Sequence, residues 1–425
     1  MSKDVPFSVV SPRNHFVFTP LLPSCSVGTL ECRVIQEPIR SVLGPNGHYF
    51  RGKAKSLDHI NKKVICESID RAIFELEYDK LVIAVGVKTN TFGIESITEA
   101  ERNHDSVFFL KQLEHARLIR ANIIDAFEKA SIPNVSTAER QRLLTFLVVG
   151  GGPTSCEFTA ELHDFVKQDV KRLYHDLLPY VKIVIVEAGP ALLGPFDKAL
   201  QEYAHGLFEK RDIDVRLGTA VIGVEDVTVD GYRFSPSKQA ILSDGSTLEF
   251  GTMVWSAGLA PRTFTQNLDE TIFPRHPRNK RLLVDEFLRV KGHEGSIWAM
   301  GDAAINEKGL PIPQLAQVAR QQGIYLADVF NGKIREDEKP FSFFSLGSMA
   351  FMGDLKGIYD GSSAGPLRDP NENYNRFVPP AIKGFLALLL WRFAYWGRQT
   401  SIVNKVLIPM HWMKTFLFGR DTSRY

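Results

Sequence analysis

The segment Leu147–Glu157 combines an apolar run, three consecutive glycines and the start of a helix-forming stretch. This order predicts a buried strand, a tight turn and a helix, the arrangement that binds the pyrophosphate of a dinucleotide. Ser155 stands where the G-x-G-x-x-G pattern has its last glycine, and it is small enough for the helix to pack closely on the strand. A glycine turn that binds no nucleotide is the alternative. The residues expected to hold the pyrophosphate are Gly150, Gly152, Pro153 and Thr154.

A second predicted strand, Val181–Glu187, is rich in β-branched residues and ends in an acid. A carboxylate at this point accepts hydrogen bonds from a ribose 2′-hydroxyl and repels a 2′-phosphate, so Glu187 favours NADH over NADPH. Glu187 lies 32 residues after Ser155, whereas about 20 is usual. The sequence therefore requires an unusually long helical connection from Glu157 to about Leu178, with Pro179 as its stop.

The overall composition is that of an ordinary globular protein with two or three domains. The chain has 425 residues, 44% of them hydrophobic and 24% charged, and its net charge of +2 gives no support to nucleic-acid binding. Its four cysteines form no C-x-x-C pair, so neither a zinc site nor any other metal site is predicted. No apolar run is long enough to span a bilayer, and no targeting signal is visible at the start.

Strand-like and helix-like segments alternate along most of the chain. Short strands are expected at Phe7–Val10, Val64–Cys66 and Leu81–Gly86, and a helix is expected over residues 106–130. Further strands that end in small residues are expected at Thr252–Gly258 and Ile297–Asp302. This alternation predicts an α/β fold.

Four motifs together resemble the type II NADH:quinone oxidoreductases of mitochondria and bacteria. The resemblance covers nearly the whole chain and is carried by Ser11–Phe16 with Phe18–Ser24, by Gly150–Glu161, by Gly301–Ala304 and by Ala316–Gln321. It implies two Rossmann-like dinucleotide-binding domains of the glutathione-reductase type, and FAD and NADH as cofactors. It also implies electron transfer to ubiquinone without proton pumping. The implied divisions are a first part of the FAD domain at 1–140, the NADH domain at 141–265, the second part of the FAD domain at 266–345, and a membrane-associated region at 346–425.

The resemblance also implies roles for residues beyond the glycine turn. Asp302 would accept a hydrogen bond from the flavin's ribityl chain, and Gly86 would let the backbone pass close to FAD. An ordinary turn at Asp302 and a solvated surface arginine at Arg13 are the alternatives. The expected FAD contacts are Ser11, Arg13, Thr19, Pro20, Gly86, Gly301 and Asp302, and the strand end Ala257-Gly258 is expected beside NADH.

Three residues are candidates for the chemistry itself. The resemblance puts Glu157 near nicotinamide and flavin, where it could orient the stacked rings or relay protons, although the helix dipole by itself favours an acid there. Gln317 and Gln321 are four residues apart and share one helical face. In the family this face lies under the flavin beside the quinone, so Gln317 would hydrogen-bond a quinone carbonyl; an exposed polar face is the alternative.

The chain departs from the family pattern at its start, because it opens at what resembles the second strand of the FAD domain. A sheet without the preceding strand, glycine turn and helix would have an unpaired, buried edge. The expectation is therefore an N-terminally incomplete flavoenzyme, whose targeting peptide is missing with the same segment. The alternatives are a flavin-less, non-catalytic NADH-binding protein and a sulfide:quinone oxidoreductase, for which Cys156 and Cys25 would be the redox cysteines.

The end of the chain is basic and aromatic. From Arg376 onward there are eight Lys or Arg residues and one acid, Asp421, interleaved with Trp, Phe and Leu. Such amphipathic helices fit an anchor in the membrane interface, and a pair of core helices is the alternative. The expected location is the mitochondrial inner membrane, peripherally attached and possibly as a homodimer.

Overall fold

The computed structural model describes residues 6–307, 312–366 and 381–424. Arg376, one of the eight basic residues counted above, lies outside this range. The α-helices are Leu22–Ser26, Ile39–Leu43, Glu95–Arg102, Leu113–Ser131, Thr137–Leu143, Pro153–Phe165, Lys171–Leu173, Lys198–Glu209, Thr263–Asn267, Ala316–Phe330, Phe385–Gly397 and Ile402–Phe418.

A five-stranded parallel sheet, here called the nucleotide sheet, forms the best-packed part of the molecule. Its central strand, Thr145–Val149, is buried at every residue and pairs on both sides. Side chains alternate between two apolar cores, as expected for a parallel sheet covered on both faces. The strands in spatial order are Asp214–Leu217, Lys182–Glu187, Thr145–Val149, Thr252–Trp255 and Val107–Phe109.

The helical connection that the spacing of Glu187 required is present. The helix Pro153–Phe165, here called the nucleotide helix, continues through a π-helical turn at Val166–Val170 into Lys171–Leu173. A 3₁₀ segment, His175–Tyr180, then includes Pro179 and leads into the strand Lys182–Glu187. The prediction of an unusually long connection is confirmed, although it is not one uniform α-helix.

The prediction of a helix over 106–130 is wrong at its start. Residues Val107–Phe109 form the edge strand of the nucleotide sheet, and the helix begins at Leu113. Two β-prone phenylalanines beside a buried valine favour extended backbone here. The strand also precedes the predicted division at 140, so the nucleotide-binding unit takes residues from both sides of that division.

A second set of parallel strands, here called the split sheet, forms two separate pairs. Phe7–Ser11 pairs with the start of Gly47–Asp58, and Leu81–Ile83 pairs with Ile297–Ala299. The second pair joins the two sequence regions that were predicted to build one FAD domain. Within the described residues Phe7–Ser11 has one strand neighbour, and it is half-buried rather than buried.

The remaining strands form smaller sheets around these two. An antiparallel ladder continues the first pair of the split sheet, and a three-stranded sheet covers one face of the nucleotide sheet. These and the other strands are Lys63–Ser68 and Ile73–Glu77; Val221–Val227, Ser237–Leu242 and Thr247–Phe250; His15–Val17 and Gln36–Pro38; Val87–Thr89 and Leu259–Pro261; Leu282–Val284 and Ala304–Asn306; Phe344–Ser345 and Gly365–Pro366; and Ser348–Phe351, Gly357–Asp360 and Ala381–Gly384.

Two helices near the end of the chain, Phe385–Gly397 and Ile402–Phe418, are here called the tail helices. They pack on the nucleotide helix through Leu388, Trp391 and Trp412, which belong to the main apolar core. Among the described residues, no helix has both the length and the apolar character needed to cross a bilayer.

Candidate active site

The predicted glycine turn connects the central strand of the nucleotide sheet to the nucleotide helix. Gly150 has φ +108°, a left-handed conformation that side-chain-bearing residues rarely adopt. Gly152 caps the helix, Pro153 occupies its first turn, and a Cβ on Gly152 would meet nothing within 4 Å. The N–H groups of this helix end, with Thr154 among them, therefore face open space, which is the geometry that receives a phosphate.

Glu187 lies beside this turn, at the end of the neighbouring strand. Its carboxylate accepts hydrogen bonds from the backbone N–H of Gly151 and, at 2.6 Å, from that of Gly189. A Cβ on Gly151 would lie 2.7 Å from Glu187 Cγ. The acid therefore fixes the turn as well as lying where a ribose would bind, and only glycine fits at position 151.

The third strand end, at Ala257-Gly258, completes this side of the site. Gly258 has φ +70°, and a Cβ there would lie 2.6 Å from Phe92 Cζ. The indole N–H of Trp255 donates to Ala257 O at 3.1 Å and to Asn90 O at 3.0 Å. These contacts hold the strand end against the segment that contains Asn90 and Phe92.

The expected FAD residues gather around the split sheet. Gly86 has φ +67° and open space where a Cβ would be. Gly301 has φ +64° and donates its N–H to Gln322 Oε1 at 2.6 Å. Asp302 follows it in a 3₁₀ turn and is half-buried. Tyr49 donates its hydroxyl hydrogen to Ser11 O at 2.9 Å.

Thr19 and Pro20 open the short 3₁₀ helix Thr19–Leu21, which continues into Leu22–Ser26. Leu21 is fully buried, whereas Thr19 is exposed. The segment is thus anchored by its apolar residues, and Thr19 is accessible for contact with a bound group.

Positive charge accumulates next to these FAD residues. Burial lowers the pKa of Lys111, Asp302 opposes this shift, and Arg262 and Arg13 add to it. Arg262 donates to Val85 O at 2.8 Å, beside Gly86. Three cations close enough to repel one another, with one acid beside Lys111, fit a bound anion such as the FAD pyrophosphate. The residues that are present therefore fit FAD.

Glu157 is buried in the nucleotide helix and interacts with the C-terminal region. Its Oε1 accepts hydrogen bonds from the Phe351 N–H and from the indole N–H of Trp391, both at 3.0 Å. Burial raises its pKa to about 8, and these two hydrogen bonds oppose the shift. Its charge also contributes to raising the pKa of the buried Tyr395 phenol, for which burial is the main cause.

Gln317 and Gln321 lie on one face of the helix Ala316–Phe330, as predicted. Each side-chain amide bonds to the backbone of the neighbouring segment, residues 344–347. Gln321 accepts from the Phe344 N–H at 3.0 Å and donates to Phe344 O at 2.8 Å. Gln317 accepts from the Leu346 N–H at 3.1 Å and donates to Gly347 O at 3.3 Å. Both glutamines therefore fix this segment, and their roles toward quinone stay predictions.

Lys111, Arg262, Trp391 and Tyr395 were not among the predicted site residues. Trp391 and Tyr395 are four residues apart, so their shared helical face was detectable. Both were assigned to the membrane anchor because of their apolar surroundings. Lys111 and Arg262 carry no local motif, and only the tertiary structure brings them to the FAD side.

The two cysteines of the sulfide-oxidising alternative are free, buried thiols. Cys156 is fully buried beside Gly151 O, at 3.5 Å, and burial raises its pKa. Cys25 forms a side-chain contact with Cys32. Within the described part of the chain, no group of three His, Cys, Asp or Glu residues is placed to hold a metal ion.

Comparison with known proteins gives consistent results along the chain. Residues 28–323 match the family model of the pyridine nucleotide-disulphide oxidoreductases, and residues 346–421 match that of the NDH2 C-terminal domain. A probable NADH dehydrogenase from Dictyostelium discoideum is 39% identical over 98% of this chain and 86% of its own length. The mitochondrial external NADH-ubiquinone oxidoreductase 2 of Saccharomyces cerevisiae is 35% identical over 98% of this chain and 77% of its own.

Solved structures agree with this assignment. The structure of NDH2 from Plasmodium falciparum in complex with NADH superimposes with a TM-score of 0.85 and 27% identity, covering 99% of this chain and 95% of that chain. A sulfide:quinone oxidoreductase from Aquifex aeolicus reaches a TM-score of 0.66 with 17% identity over 98% of this chain and 90% of that chain, which shows a shared fold. From its family models, its relatives and its structure, the chain belongs to the type II NADH dehydrogenases, within the pyridine nucleotide-disulphide oxidoreductase family.

Proposed function

We propose that this protein is an FAD-dependent NADH:quinone oxidoreductase that passes electrons from NADH through FAD to ubiquinone without pumping protons. The observation that carries the proposal is the glycine turn at 150–152, which is fixed by Glu187 and open at a helix N-terminus. Neither competing function accounts for this turn together with a cationic FAD side and buried, free cysteines.

The nucleotide sheet and the nucleotide helix, together here called the nucleotide unit, bind and orient NADH. The N–H groups after Gly152 receive the pyrophosphate, and Glu187 accepts from a ribose hydroxyl with the lone pairs that its two backbone donors leave free. A 2′-phosphate next to this carboxylate would be repelled, which favours NADH over NADPH. Ala257 and Gly258 then guide the nicotinamide end toward the split sheet.

The split sheet binds FAD, which supplies the hydride-accepting and one-electron chemistry when bound. Arg13, Lys111 and Arg262 neutralise the FAD pyrophosphate. Gly86 has no side chain, so FAD can lie close to the backbone there. Asp302 accepts from the ribityl chain. The protein contributes mainly geometry, because it holds the reacting rings in contact and excludes water.

Glu157 holds a proton for quinone reduction. Its pKa of about 8 means that the buried carboxyl is mostly protonated at neutral pH. Reducing a quinone to a quinol consumes two protons, so a buried acid poised near neutrality suits this step. Gln317 and Gln321 fix the segment 344–347, which leads into the strand that ends at Phe351, a hydrogen-bond donor to Glu157. The second amide N–H of Gln317 is available to a quinone carbonyl.

The tail helices attach the protein to a membrane. Their outward side chains are strongly exposed although apolar, including Ile402 at 79%, Phe416 at 73% and Phe418 at 71%. Basic residues flank this surface, as expected for a helix in the membrane interface. The mitochondrial names of several relatives support the mitochondrial inner membrane as the location. The same apolar surface could pair two copies, so a homodimer is part of the proposal.

The decisive experiment is an absorption spectrum of the detergent-solubilised protein loaded with FAD, followed by anaerobic titration with NADH and then ubiquinone. We expect flavin bands that bleach with NADH and return with quinone, and no bleaching with sulfide. Bleaching by sulfide would favour the sulfide-oxidising alternative. Failure to retain flavin, with NADH binding intact, would favour the non-catalytic alternative.

Membrane attachment is tested separately by sedimentation with liposomes. Replacing Val406 and Met413, both exposed on the second tail helix, by Asp should abolish co-sedimentation. In the matched control, Ile60, which is 80% exposed in a turn outside the tail helices, is replaced by Asp. This variant should sediment like the wild type. Size-exclusion chromatography with light scattering of the same variants tests the homodimer.

A further inference from the structure

A cavity of about 220 Å³ lies between the nucleotide helix and the two tail helices. Its walls are largely apolar and aromatic, and they contain neither Gln317 nor Gln321. Two rim residues, Phe416 and Leu355, are 73% and 44% exposed. The cavity therefore opens beside the surface that we propose to contact the membrane. The apolar and aromatic lining residues are Phe351, Leu355, Leu388, Trp391, Trp412 and Phe416.

The acids in the cavity already have partners. Glu161 accepts from the hydroxyls of Ser24 at 2.7 Å and Thr29 at 2.6 Å. Asp164 accepts from the backbone N–H of Asp354 at 3.0 Å, and Asp354 pairs with Lys167 at 2.7 Å.

The second arginine of the cavity, Arg420, is also fully engaged. It donates to both Asp169 Oδ2 and Gln168 Oε1 at 2.9 Å, and its Nε donates to Thr29 Oγ1 at 2.9 Å. Each carboxylate of the lining thus has its own hydrogen-bond or ion-pair partner, with Glu161 also paired to Arg420 at 3.5 Å, and Arg392 is the cation of the lining that has none among the described residues.

Arg392, on the first tail helix, is different. Its guanidinium stacks over the Trp412 ring at 5.0 Å, and its Nε is completely buried. Within the described residues, Arg392 has no hydrogen bond and no ion pair. Burial lowers its pKa, while the nearby Glu161 charge opposes the shift. Arg392 as a whole is half-buried, and its side chain lines the cavity. A buried Nε–H without an acceptor is costly, so this position suits an arginine that meets an anionic ligand.

We propose that this cavity binds the phosphate of an anionic phospholipid, with Arg392 as its hydrogen-bond donor. Arginine recognises phosphate through two parallel N–H donors, and Trp412 keeps the guanidinium plane in place. The acyl chains would leave past Phe416 along the exposed apolar side of the tail helices. The inference rests on the proposed membrane attachment, because that brings the cavity mouth to the headgroup level.

The size of the cavity and the basic character of the tail favour a lipid headgroup over a whole ligand. Pockets for drug-sized molecules usually measure about 300–1,000 Å³, and this cavity is smaller. The basic residues of the tail also draw the protein toward anionic rather than zwitterionic lipids. A single lipid bound at Arg392 would thus fix the orientation of the tail helices at the membrane.

The test uses mixed detergent micelles, so that binding does not depend on membrane attachment, and no NADH or quinone is present. Phosphatidylglycerol with brominated acyl chains should quench Trp391 and Trp412 at a lower concentration than brominated phosphatidylcholine. In Arg392→Gln the half-quenching concentration of phosphatidylglycerol should rise about tenfold, because a charge-assisted contact is lost. The matched control Arg398→Gln, directly after the end of the same helix and outside the cavity, should change it less than about twofold.

Thermal unfolding provides a second, independent readout. Phosphatidylglycerol should raise the melting temperature of the wild type, because a ligand that binds the folded state stabilises it. Arg392→Met should lose this increase and yet be at least as stable as the wild type without lipid. Equal quenching by both lipids in the wild type, or an unchanged preference in Arg392→Gln, would overturn the proposal. Displacement of brominated lipid by a short-chain ubiquinone would overturn it too, by assigning the cavity to quinone. None of these results bears on NADH:quinone activity, which is measured separately.

Discussion

The nucleotide sheet and the split sheet are built from the same kind of parallel strand, yet they differ in how the protein completes them. Thr145–Val149 is buried at all five residues and has a strand on either side. Phe7–Ser11 has one strand neighbour within the described residues and is half-buried. Parallel strands depend on burial of both faces of their sheet. The nucleotide unit is thus preorganised by its own packing.

The two units also differ in how the charges within them are balanced. Glu187 in the nucleotide unit is satisfied by two backbone N–H groups. In the FAD unit, the part of the chain around the split sheet, Lys111 interacts with one acid, Asp302, and with two further cations, Arg13 and Arg262. We therefore expect NADH to bind to a preorganised site, and we expect bound FAD to contribute to the stability of the unit that holds it. The predictions below test this difference.

The largest effect is expected for Gly151→Ala. The new Cβ would lie 2.7 Å from Glu187 Cγ and would displace the turn. Because an error of about 1 Å in positioning can cost about 100-fold in rate, kcat/KM for NADH should fall by about that factor. Flavin content should not change, because the FAD unit is untouched. The control Gly206→Ala, in a helix with open space at the Cβ, should keep full activity. If Gly151→Ala lost flavin to the same extent as it lost activity with NADH, the two units would not be independent.

A smaller effect, on the other unit, is expected for Lys111→Met. Removing one of three clustered cations should weaken FAD binding about tenfold, measured by fluorescence titration. It should also raise the melting temperature of the flavin-free protein, because a partly buried cation beside two others is removed. The control is Lys88→Met, because Lys88 is exposed and lines the same surface cleft as Lys111. Lower flavin-free stability in Lys111→Met would contradict a ligand-dependent FAD unit.

The pH dependence of stability should depend on Glu157. Its pKa is about 8 in the folded protein, against an ordinary value of 4.5. The folded state therefore binds more protons than the unfolded state between these values, and stability falls as pH rises from about 4.5 to 8. Glu157→Gln, which keeps an acceptor for Trp391, should remove this slope and slow quinone reduction several-fold. Denaturant unfolding at pH 5 and pH 8 measures it, with the exposed Glu99→Gln as control. A slope that persists in Glu157→Gln would assign it to other groups.

The smallest effect compares one buried cysteine in each unit. Cys156 lies in the well-packed nucleotide helix, and Cys66 lies in the antiparallel ladder of the FAD unit. Both residues are fully buried, and each is replaced by Ala. A tightly packed site collapses less around a lost atom, so Cys156→Ala should cost about 1–2 kcal/mol and Cys66→Ala less. Urea unfolding gives both values, and a larger cost for Cys66→Ala would argue against the difference in packing. NADH oxidation should stay within about twofold in both, as cysteines that only pack require.

Local sequence was a good guide to the nucleotide unit. The glycines at 150–152, the β-branched strand ending at Glu187 and the long helical connection all have short-range signals, and the structure contains each of them. The edge strand Val107–Phe109 was missed because three residues give too short a pattern, and its pairing partner lies at Thr252–Trp255. Where a residue pairs across more than a hundred positions, no local periodicity reveals it.

The candidate site shows the same division between local and distant information. The sequence located Gln317 and Gln321 on one face, but their bonds to residues 344–347 depend on a separate segment packing there. Glu157 was recognised, whereas its contact with Trp391 spans 234 residues. Lys111 and Arg262 come to the FAD side only through the folded chain.

The sequence by itself determined the strand-turn-helix that binds a dinucleotide, the family of the protein and the basic, apolar character of its tail. These depend on backbone freedom at glycine, on side-chain branching and on spacing, which are properties of neighbouring residues. The tertiary structure decided which groups are buried together, and with that the raised pKa of Glu157, the cation cluster at Lys111 and the unpaired guanidinium of Arg392. Desolvation and charge proximity depend on distances in space, and these exist only once distant segments have packed.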